Sequence, residues 1–386
     1  MTVPVVGADV VRWFRFRCHQ LDRDPGAGGT DGDVALLDYG VQDTGPDGAA
    51  WALAIRGGTA PVADLVYAWT IRAAPHAYRR ADIAAVAVAT APLSEADAGK
   101  RIFDAMKPLR AAGIPALDAL RTLAGHQRRI VRTPTVKGEV STRLTELVDE
   151  PYLRSCRPCN AIHVYENPFR MAALQAGLEL EPATSPPVLR RIKGLEPPMY
   201  RHLGDEAEPR FDVVRNYLRF FGPARIRDAA EFLDAPPKEV ERRWPADVVE
   251  VRIGDVGDTS GRAATQPRFI LAGDVDALTG AGPPPRPGAL RLLGPYDAFL
   301  QLRDRDVLVP EPERRKALWP VIGRPGAVVA GGDVLALWRP RTSANRLRLA
   351  IEPWTRLTKG QRAALEEQAE LLAAHRGATL AGLEIS

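Results

Sequence analysis

The hydrophobic pattern of this chain predicts the same order of elements twice: three helices followed by a strand hairpin. The first set has helices at 94–111, 116–124 and 137–147 and a hairpin at 152–165 that turns near Pro158. The second set has helices at 212–221, 225–234 and 237–244 and strands at 248–253 and 268–271. This order is typical of the winged helix, whose third helix usually enters a nucleic-acid groove. The repeat therefore favours an α+β chain built from nucleic-acid-binding units.

Local signals predict further elements on either side of these sets. Ser94, with Asp97 three residues later, is typical of a helix start. Near the amino terminus the pattern predicts helices at 10–21 and 33–39, a Gly/Asp-rich loop at 23–32 and a strand at 51–55. After the second set it predicts strands at 328–330, 334–338 and 347–351, a helix at 359–375 and a last strand near Leu380. This last region is expected to be a mostly antiparallel α+β domain.

Proline-rich stretches mark the expected domain boundaries. Pro182, Pro186 and Pro187, with Pro197 and Pro198, indicate a semi-rigid linker, and the run at 282–287 breaks the chain again. We therefore predict tandem winged-helix domains followed by a C-terminal β-rich α+β domain. The predicted division begins with a winged-helix-like domain at 1–93, which carries a polar turn, and a second winged helix at 94–181. A linker at 182–209, a third winged helix at 210–280 and the C-terminal domain at 288–386 follow.

Composition excludes several classes of protein. Hydrophobic residues make up 45% and charged residues 26% of the 386 residues, as in ordinary soluble domains. No apolar run reaches the roughly 18 residues of a membrane helix, and the first residues lack a secretory pattern. Three cysteines are too few for a disulfide framework and fit a reducing compartment. We expect a cytoplasmic, nucleoid-associated protein.

Basic residues are clustered although the formal net charge is only +4. Such clusters contact phosphates when they lie on one surface, whereas a single cluster is more often a solvated face. The best candidates flank the third predicted helix of the first set and its hairpin: Arg128, Arg129, Arg132, Lys137, Arg154 and Arg157.

A polar turn near the amino terminus is the strongest candidate for chemistry. Gln42, Asp43 and Thr44 lie between Tyr39-Gly40-Val41 and Gly45-Pro46, so an amide, a carboxylate and a hydroxyl are flanked by turn residues. This pattern suits an exposed polar site better than a core. The alternative is that Asp43 merely caps a turn.

The chain resembles the AlkZ/YcaQ family of winged-helix DNA glycosylases over nearly its whole length. Matching patches occur in order at 41–43 with 51–53, 69–76, 152–170, 218–228, 292–297 and 304–305. The family motif is Gln-x-Gln or Gln-x-Asp, with one residue between the polar side chains. Here Asp43 follows Gln42 directly and Thr44 occupies the spaced position. Ala73 and Ala74 replace the Gly and Thr of the family's Arg-Gly-Thr-x-His element.

The resemblance implies tandem winged helices around a concave DNA channel and the excision of N7-alkylated purines, including bulky or crosslinked adducts. Such a base leaves readily because alkylation makes it cationic, so the enzyme needs only to hold a water and stabilise an oxocarbenium-like sugar. Gln42 would position the water, and Asp43 would serve as base or electrostatic stabiliser. The alternative is that Thr44, in the spaced position of the motif, takes the place of Asp43. The implied enzyme is a monofunctional hydrolase, without cofactor, that acts as a monomer on double-stranded DNA.

Two histidines and a pair of cysteines are further candidates for functional residues. Two roles stay open for His76, a brace of the polar turn or a packed structural histidine. His163 on the predicted hairpin is a candidate DNA contact because the family inserts a hairpin near the lesion. Cys156, Cys159 and His163 look like part of a zinc site, but a structural zinc usually has four ligands, so no metal is expected. The rival hypothesis is a non-catalytic winged-helix DNA-binding protein or transcription regulator.

Overall fold

The structure is a computed structural model that describes residues 3–25, 34–45, 47–58, 62–195, 199–254, 266–280, 289–343 and 345–386. The predicted breaker run at 282–287 lies outside these ranges, as do the residues at 255–265 between the two strands of the second set. Pro46, Pro197, Pro198 and most of the loop at 23–32 also lie outside them. The described part is a mixed α+β fold.

Helices and strands alternate along the described part of the chain. The helices are α1 (Ala8–Cys18), α2 (Gly48–Ala54), α3 (Ile83–Ala89), α4 (Glu95–Arg101), α5 (Met106–Ala111), α6 (Ala116–Ile130), α7 (Lys137–Thr145), α8 (Glu166–Gln175), α9 (Val213–Phe221), α10 (Ile226–Leu233), α11 (Pro237–Arg242), α12 (Val275–Thr279), α13 (Arg305–Leu308), α14 (Pro312–Leu318) and α15 (Lys359–His375). The strands are β1 (Val5–Val6), β2 (Val41–Gln42), β3 (Leu65–Trp69), β4 (Pro75–Arg79), β5 (Thr135–Val136), β6 (Leu153–Cys156), β7 (Ala161–Val164), β8 (Leu178–Leu180), β9 (Val188–Arg191), β10 (Val248–Ile253), β11 (Arg268–Leu271), β12 (Leu290–Leu293), β13 (Gly326–Ala330), β14 (Asp333–Ser343), β15 (Arg346–Pro353) and β16 (Thr379–Ile385).

A six-stranded sheet in the order β2-β4-β3-β8-β9-β5 carries the polar turn at its edge. Every residue of β3 is buried, because helix α8 covers this part of the sheet. Strands from both sides of residue 93 lie in this sheet. The predicted boundary there stays a prediction.

The C-terminal region contains a five-stranded sheet in the order β12-β13-β14-β15-β16. Its strand pairs are antiparallel except β15 with β16, so the expectation of a mostly antiparallel sheet is confirmed. Helix α15 packs on it through a buried stripe that includes Leu365, Ala369 and Leu372. At the other end of the chain, β1 pairs in parallel with β10 and so ties the amino terminus to the second predicted set.

The element order predicted for both sets is confirmed, with one helix broken. The predicted helix at 94–111 is two helices, α4 and α5, separated at 102–105. The break places Pro108 in the first turn of α5, where its missing N–H costs no hydrogen bond. Ser94 caps α4 as predicted, accepting the Asp97 N–H at 3.1 Å.

Two predictions near the polar turn are wrong. Residues 51–55, predicted as a strand, lie in and directly after helix α2, because the alanine-rich sequence favours helix and its start is capped. The predicted helix at 33–39 is a single 3-10 turn, Ala35–Asp38. None of the helices in the described ranges is long and apolar enough to cross a membrane.

Candidate active site and nucleic-acid interface

Gln42 lies at the end of edge strand β2, where its backbone pairs with His76 of β4. The Gln42 amide Nε2 donates a hydrogen bond to Thr44 Oγ1 at 3.1 Å. On its other side, Gln42 Oε1 lies 3.5 Å from a guanidinium nitrogen of Arg72. The amide is thus oriented by two neighbours, and its orientation points the carbonyl oxygen towards a positive charge.

A small cleft opens beside Gln42 and Thr44. Its volume is about 20 Å³, which is enough for one water molecule since about 10–15 Å³ suffices. It is lined by Gln42, Thr44, Asp47, Gly48, Trp51, Ala52, Gly294, Pro295, Tyr296 and Asp297. Both lining carboxylates are paired, Asp47 with Arg376 and Asp297 with Arg56. The Gln42 amide and the Thr44 hydroxyl therefore remain as uncharged polar groups that can orient a water in this cleft.

Asp43 faces helix α2, and it does not line the cleft. Its Oδ1 accepts the N–H of Ala49 at 2.9 Å, so Asp43 caps the first turn of that helix. Burial raises the pKa of Asp43 above its usual value, although the Ala49 hydrogen bond lowers it in part. Burial and the nearby Asp43 carboxylate also raise the pKa of Tyr67 to about 12. This contact agrees with the alternative interpretation of Asp43 as a cap.

His76 is buried under the polar turn. Its Nδ1 lies 3.0 Å from Thr70 Oγ1 and 2.9 Å from the Ala74 carbonyl, and Thr70 also contacts the Tyr78 hydroxyl at 2.8 Å. Burial and the nearby Arg72 lower the pKa of His76 to about 3, so the ring is neutral at physiological pH. The hydrogen bonds of His76 and Thr70 hold the turn at 70–76. Arg72 lies in this turn and has a left-handed φ of 57°.

Arg72, which lies next to Gln42, belongs to a group of four arginines that repel one another electrostatically; the other three are Arg303, Arg305 and Arg324. Each of three lies over an aromatic ring, Arg72 over Phe232 at 4.4 Å, Arg305 over Trp319 at 4.8 Å and Arg324 over Tyr296 at 5.3 Å. Tyr296 also lines the cleft, so this arginine cluster adjoins the cleft directly.

Glu231 and Asp234 act on the arginine cluster from longer range than an ion pair. Within the described ranges, no carboxylate lies within 4 Å of any of the four guanidinium groups. Burial, with Arg303 and Arg324 nearby, lowers the pKa of both Arg72 and Arg305 to about 10. Arg72 and Arg305 stay charged at neutral pH, and positive side chains held together without a direct ion pair are suited to binding an anion such as a phosphate.

Sequence reasoning did not select the arginine cluster. Arg72 lies in a patch that was used for the family resemblance, but Arg303, Arg305 and Arg324 are more than 200 residues away in sequence. The only local signal is the run Arg303-Asp304-Arg305, in which Asp304 pairs with Arg15 and Arg268 instead of with its neighbours. Asp297 pairs with Arg56, and Asp304 pairs with Arg15 and Arg268, so both aspartates are bound by arginines outside this run.

Three of the predicted DNA contacts lie together along helix α6 and just after it. Arg128, Arg129 and Arg132 line an open groove of about 760 Å³ with Arg121, Arg191 and Tyr200. Arg129 and Arg132 are exposed, whereas Arg128 donates to the Ala176 carbonyl at 3.1 Å. Arg191 donates to the backbone carbonyls of Val131 and Arg128 and so holds the groove wall.

The other predicted contacts lie at a second groove, of about 650 Å³, between helix α7 and the β6–β7 hairpin. Lys137, Arg154 and His163 line it, and Arg157 is exposed at the hairpin turn. Lys137 pairs with Glu166 at 2.8 Å, which neutralises part of its charge. The structure therefore divides the predicted basic residues between two grooves.

Cys156, Cys159 and His163 come together at the tip of that hairpin. One ligand atom from each lies within 4.8 Å of the others. Hydrogen bonds with His163 and Cys159 lower the pKa of the Cys156 thiol to about 7. Cys18, the remaining cysteine, is a free thiol on helix α1 outside this group.

The chain belongs to a DNA glycosylase family: the model of the family described as "DNA glycosylase AlkZ-like" matches residues 34–375. Among solved structures it is similar to the DNA glycosylase AlkZ of Streptomyces sahachiroi, with a TM-score of 0.66 and 20% sequence identity. That match covers 99% of this chain and 100% of the other. A comparison with curated protein sequences finds no match.

Proposed function

We propose that this DNA glycosylase hydrolyses the N-glycosidic bond of N7-alkylated purines, including bulky or crosslinked adducts, for DNA repair or for self-resistance to alkylating agents. The observation that carries the proposal is the water-sized cleft beside Gln42 and Thr44, which opens next to four arginines that make no direct ion pair within the described ranges. A hydrolase that acts on DNA needs both features: a held water and a surface for the phosphates beside it.

The alkylated base is a good leaving group, and this lowers the demand on the enzyme. An N7-alkylated purine is cationic in the ground state and departs as a neutral base, so no strong general acid is needed. The bond between sugar C1′ and the base nitrogen breaks, the sugar becomes oxocarbenium-like, and a water attacks C1′ and releases one proton to solvent. Gln42 Oε1 accepts a hydrogen bond from this water and the Thr44 hydroxyl supports it from the other side.

Asp43 supplies negative charge behind the polar turn. Because Oδ1 is taken by the Ala49 N–H, we assign the second contact to the water to Thr44 and an electrostatic role to Asp43. The ionised carboxylate favours the developing positive charge on the sugar. His76 positions the turn and does not titrate near neutral pH.

The DNA path runs over three basic surfaces. The arginine cluster contacts the phosphates around the lesion, while the grooves at Arg128, Arg129 and Arg132 and at Arg154, Arg157 and His163 hold the flanking duplex. We propose the winged-helix arrangement for both sets of helices and hairpins, with the domain division predicted from the sequence. We further propose a monofunctional, monomeric enzyme that works in the cytoplasm on the nucleoid.

The test is release of the modified base from duplex DNA that carries a single N7-methylguanine. Wild type is compared in single turnover with Gln42→Ala, Thr44→Val, Thr44→Ser and Asp43→Asn. We expect Gln42→Ala and Thr44→Val to lose about a hundredfold or more in rate, since each removes a group that orients the water. Thr44→Ser keeps the hydroxyl and should keep most of the rate.

Controls separate the chemistry from folding and binding. Asp276→Asn changes an exposed carboxylate of helix α12 and should leave the rate unchanged. Normal base release by both Gln42→Ala and Thr44→Val would reject the proposed site. No release by wild type, with tight DNA binding, would favour a bulkier lesion or the non-catalytic regulator.

A further inference from the structure

The β6–β7 hairpin tip holds three metal-ligating side chains on one face. Cys156 is opposite Ala161 in the antiparallel register, and His163 is opposite Arg154. Because side chains alternate along a strand, Cys156 and His163 project from the same face of the hairpin. The turn at 157–160 returns Cys159 over that face, with Asn160 in a left-handed conformation at φ 49°.

The tautomer of His163 leaves one ring nitrogen free to ligate. Nδ1 lies 2.7 Å from the Val164 carbonyl, and since a carbonyl can only accept, Nδ1 carries the proton. Nε2 of the neutral ring therefore bears the lone pair. A histidine whose other ring N–H is held by a backbone carbonyl is the usual arrangement of a metal-ligating histidine.

Distances and access both suit a metal ion. Tetrahedral zinc with bonds of about 2.3 Å to sulfur and about 2.0 Å to nitrogen needs ligand atoms roughly 3.3–3.8 Å apart. The three atoms already lie within 4.8 Å of one another, so a contraction of about an ångström completes the geometry. The groove of about 650 Å³ beside them provides the entry path and space for a water as fourth ligand.

The hairpin packs on helix α7 through β7, while residues 157–162 at its tip are exposed. β6 and β7 form a sheet of only two strands, and a two-stranded hairpin is marginally stable on its own. Ile162, which is 63% exposed, adds no buried contact at the tip. A metal bound by both strands and the turn would hold the tip in one conformation.

We propose that Cys156 Sγ, Cys159 Sγ and His163 Nε2 bind one Zn²⁺ or similar thiophilic divalent ion, with a water in the fourth position. Binding releases the two thiol protons to solvent, so the site carries two thiolates and one neutral imidazole. The ion is a structural clamp on the hairpin, and it takes no part in hydrolysis. His163, with both ring nitrogens occupied, then supports the groove by holding the hairpin, and the direct DNA contacts there come from Arg154 and Arg157. Sequence reasoning expected no metal because it counted three ligands; the described geometry shows that those three converge.

The experiment titrates the reduced, full-length apoprotein with Co²⁺ and then displaces it with Zn²⁺. Wild type is expected to take up one equivalent, with thiolate-to-cobalt charge-transfer absorption and the visible bands of tetrahedral cobalt. Cys156→Ser and Cys159→Ser should lose the charge-transfer band or the bound equivalent, and His163→Ala should weaken binding. Cys18→Ser is the matched control and should behave as wild type, because Cys18 is the remaining cysteine of the chain.

Each other outcome overturns the proposal. Wild type without a stoichiometric metal ion, or binding that survives Cys159→Ser, would do so. Rapid loss of both free thiols as a Cys156–Cys159 disulfide, with no metal uptake by the reduced protein, would assign the pair to redox chemistry instead. Metal uptake is measured without DNA, so this result does not depend on the proposed glycosylase activity.

Discussion

At the scale of single residues, the Asp43 carboxylate has one observed and one proposed role. Its Oδ1 caps helix α2, and the proposed stabilisation of the cationic sugar requires the carboxylate to be ionised. Burial disfavours that charge and raises the pKa, whereas the Ala49 N–H favours it in part. A carboxylate in this setting becomes protonated at a higher pH than an exposed aspartate.

The pH dependence of base release reports this pKa. Because the pKa of folded Asp43 is raised, kcat/KM of wild type should fall on the acid side around a pKa above the ordinary 3.8. Asp43→Asn should have lower activity and should lack this acid limb, since nothing at position 43 titrates. The measurement is single-turnover base release across the acid range. An unchanged acid limb in Asp43→Asn would assign the limb to another group.

The sign for stability is opposite to the sign for activity. A folded-state pKa above the unfolded value means that protonated Asp43 favours folding, so this contribution is present at low pH and is lost as pH rises through the folded pKa. His76, with its pKa lowered to about 3, gives stability above its unfolded pKa that is lost as pH falls towards 3. Activity profiles must therefore be read beside a folding control at each pH.

At the scale of elements, helix starts are where local sequence acts most directly. Ser94 accepts the Asp97 N–H at 3.1 Å, and Asp97 in return accepts the Leu93 N–H at 2.7 Å. Two N–H groups that the helix would leave unpaired are satisfied by residues three or four positions away. The same logic explains why α2 starts where it does, except that its cap, Asp43, lies outside the helix in the polar turn.

Removal of the Ser94 cap should lower stability by a predictable amount. Ser94→Ala is expected to reduce the free energy of unfolding by about 1 kcal/mol. Ser141→Ala is the matched control, because Ser141 lies inside helix α7, where alanine is the better helix former. Both are measured by denaturant unfolding. An equal effect of the two substitutions would mean that the cap has no special role.

At the scale of the whole molecule, distant segments meet at the cleft. Its walls come from the polar turn and α2 on one side and from residues 294–297 on the other, joined by the buried Arg56–Asp297 pair at 2.8 Å. The arginine cluster forms from three further segments around residues 72, 303–305 and 324. In the proposed function, this cluster binds the phosphates of DNA, which neutralise its positive charge.

The arginine cluster should contribute to DNA affinity in a salt-dependent way. Arg303→Gln and Arg324→Gln are each expected to weaken duplex binding and to reduce the slope of log K against log salt by about 1. Arg341→Gln is the matched control, because Glu384 at 2.9 Å already compensates that arginine. Binding is measured by fluorescence anisotropy at several salt concentrations. An unchanged slope in both cluster variants, equal to that of the control, would remove the cluster from the DNA path.

The sequence by itself determined the features whose cause is local. The Ser94 cap, the order of helices and hairpins in both sets and the polar character of the turn at Gln42 each depend on residues a few positions apart, so pattern and turn chemistry were sufficient. The prediction of a strand at 51–55 was wrong because Asp43, outside that segment, caps a helix there.

Only the tertiary structure decided which charged side chains lie close together. Arg72 and Arg324 are 252 residues apart, and the paths of the intervening sheets bring them together while pairing Asp304 elsewhere. Periodicity describes how one segment faces its surroundings, but convergence of side chains depends on the packing of the whole chain.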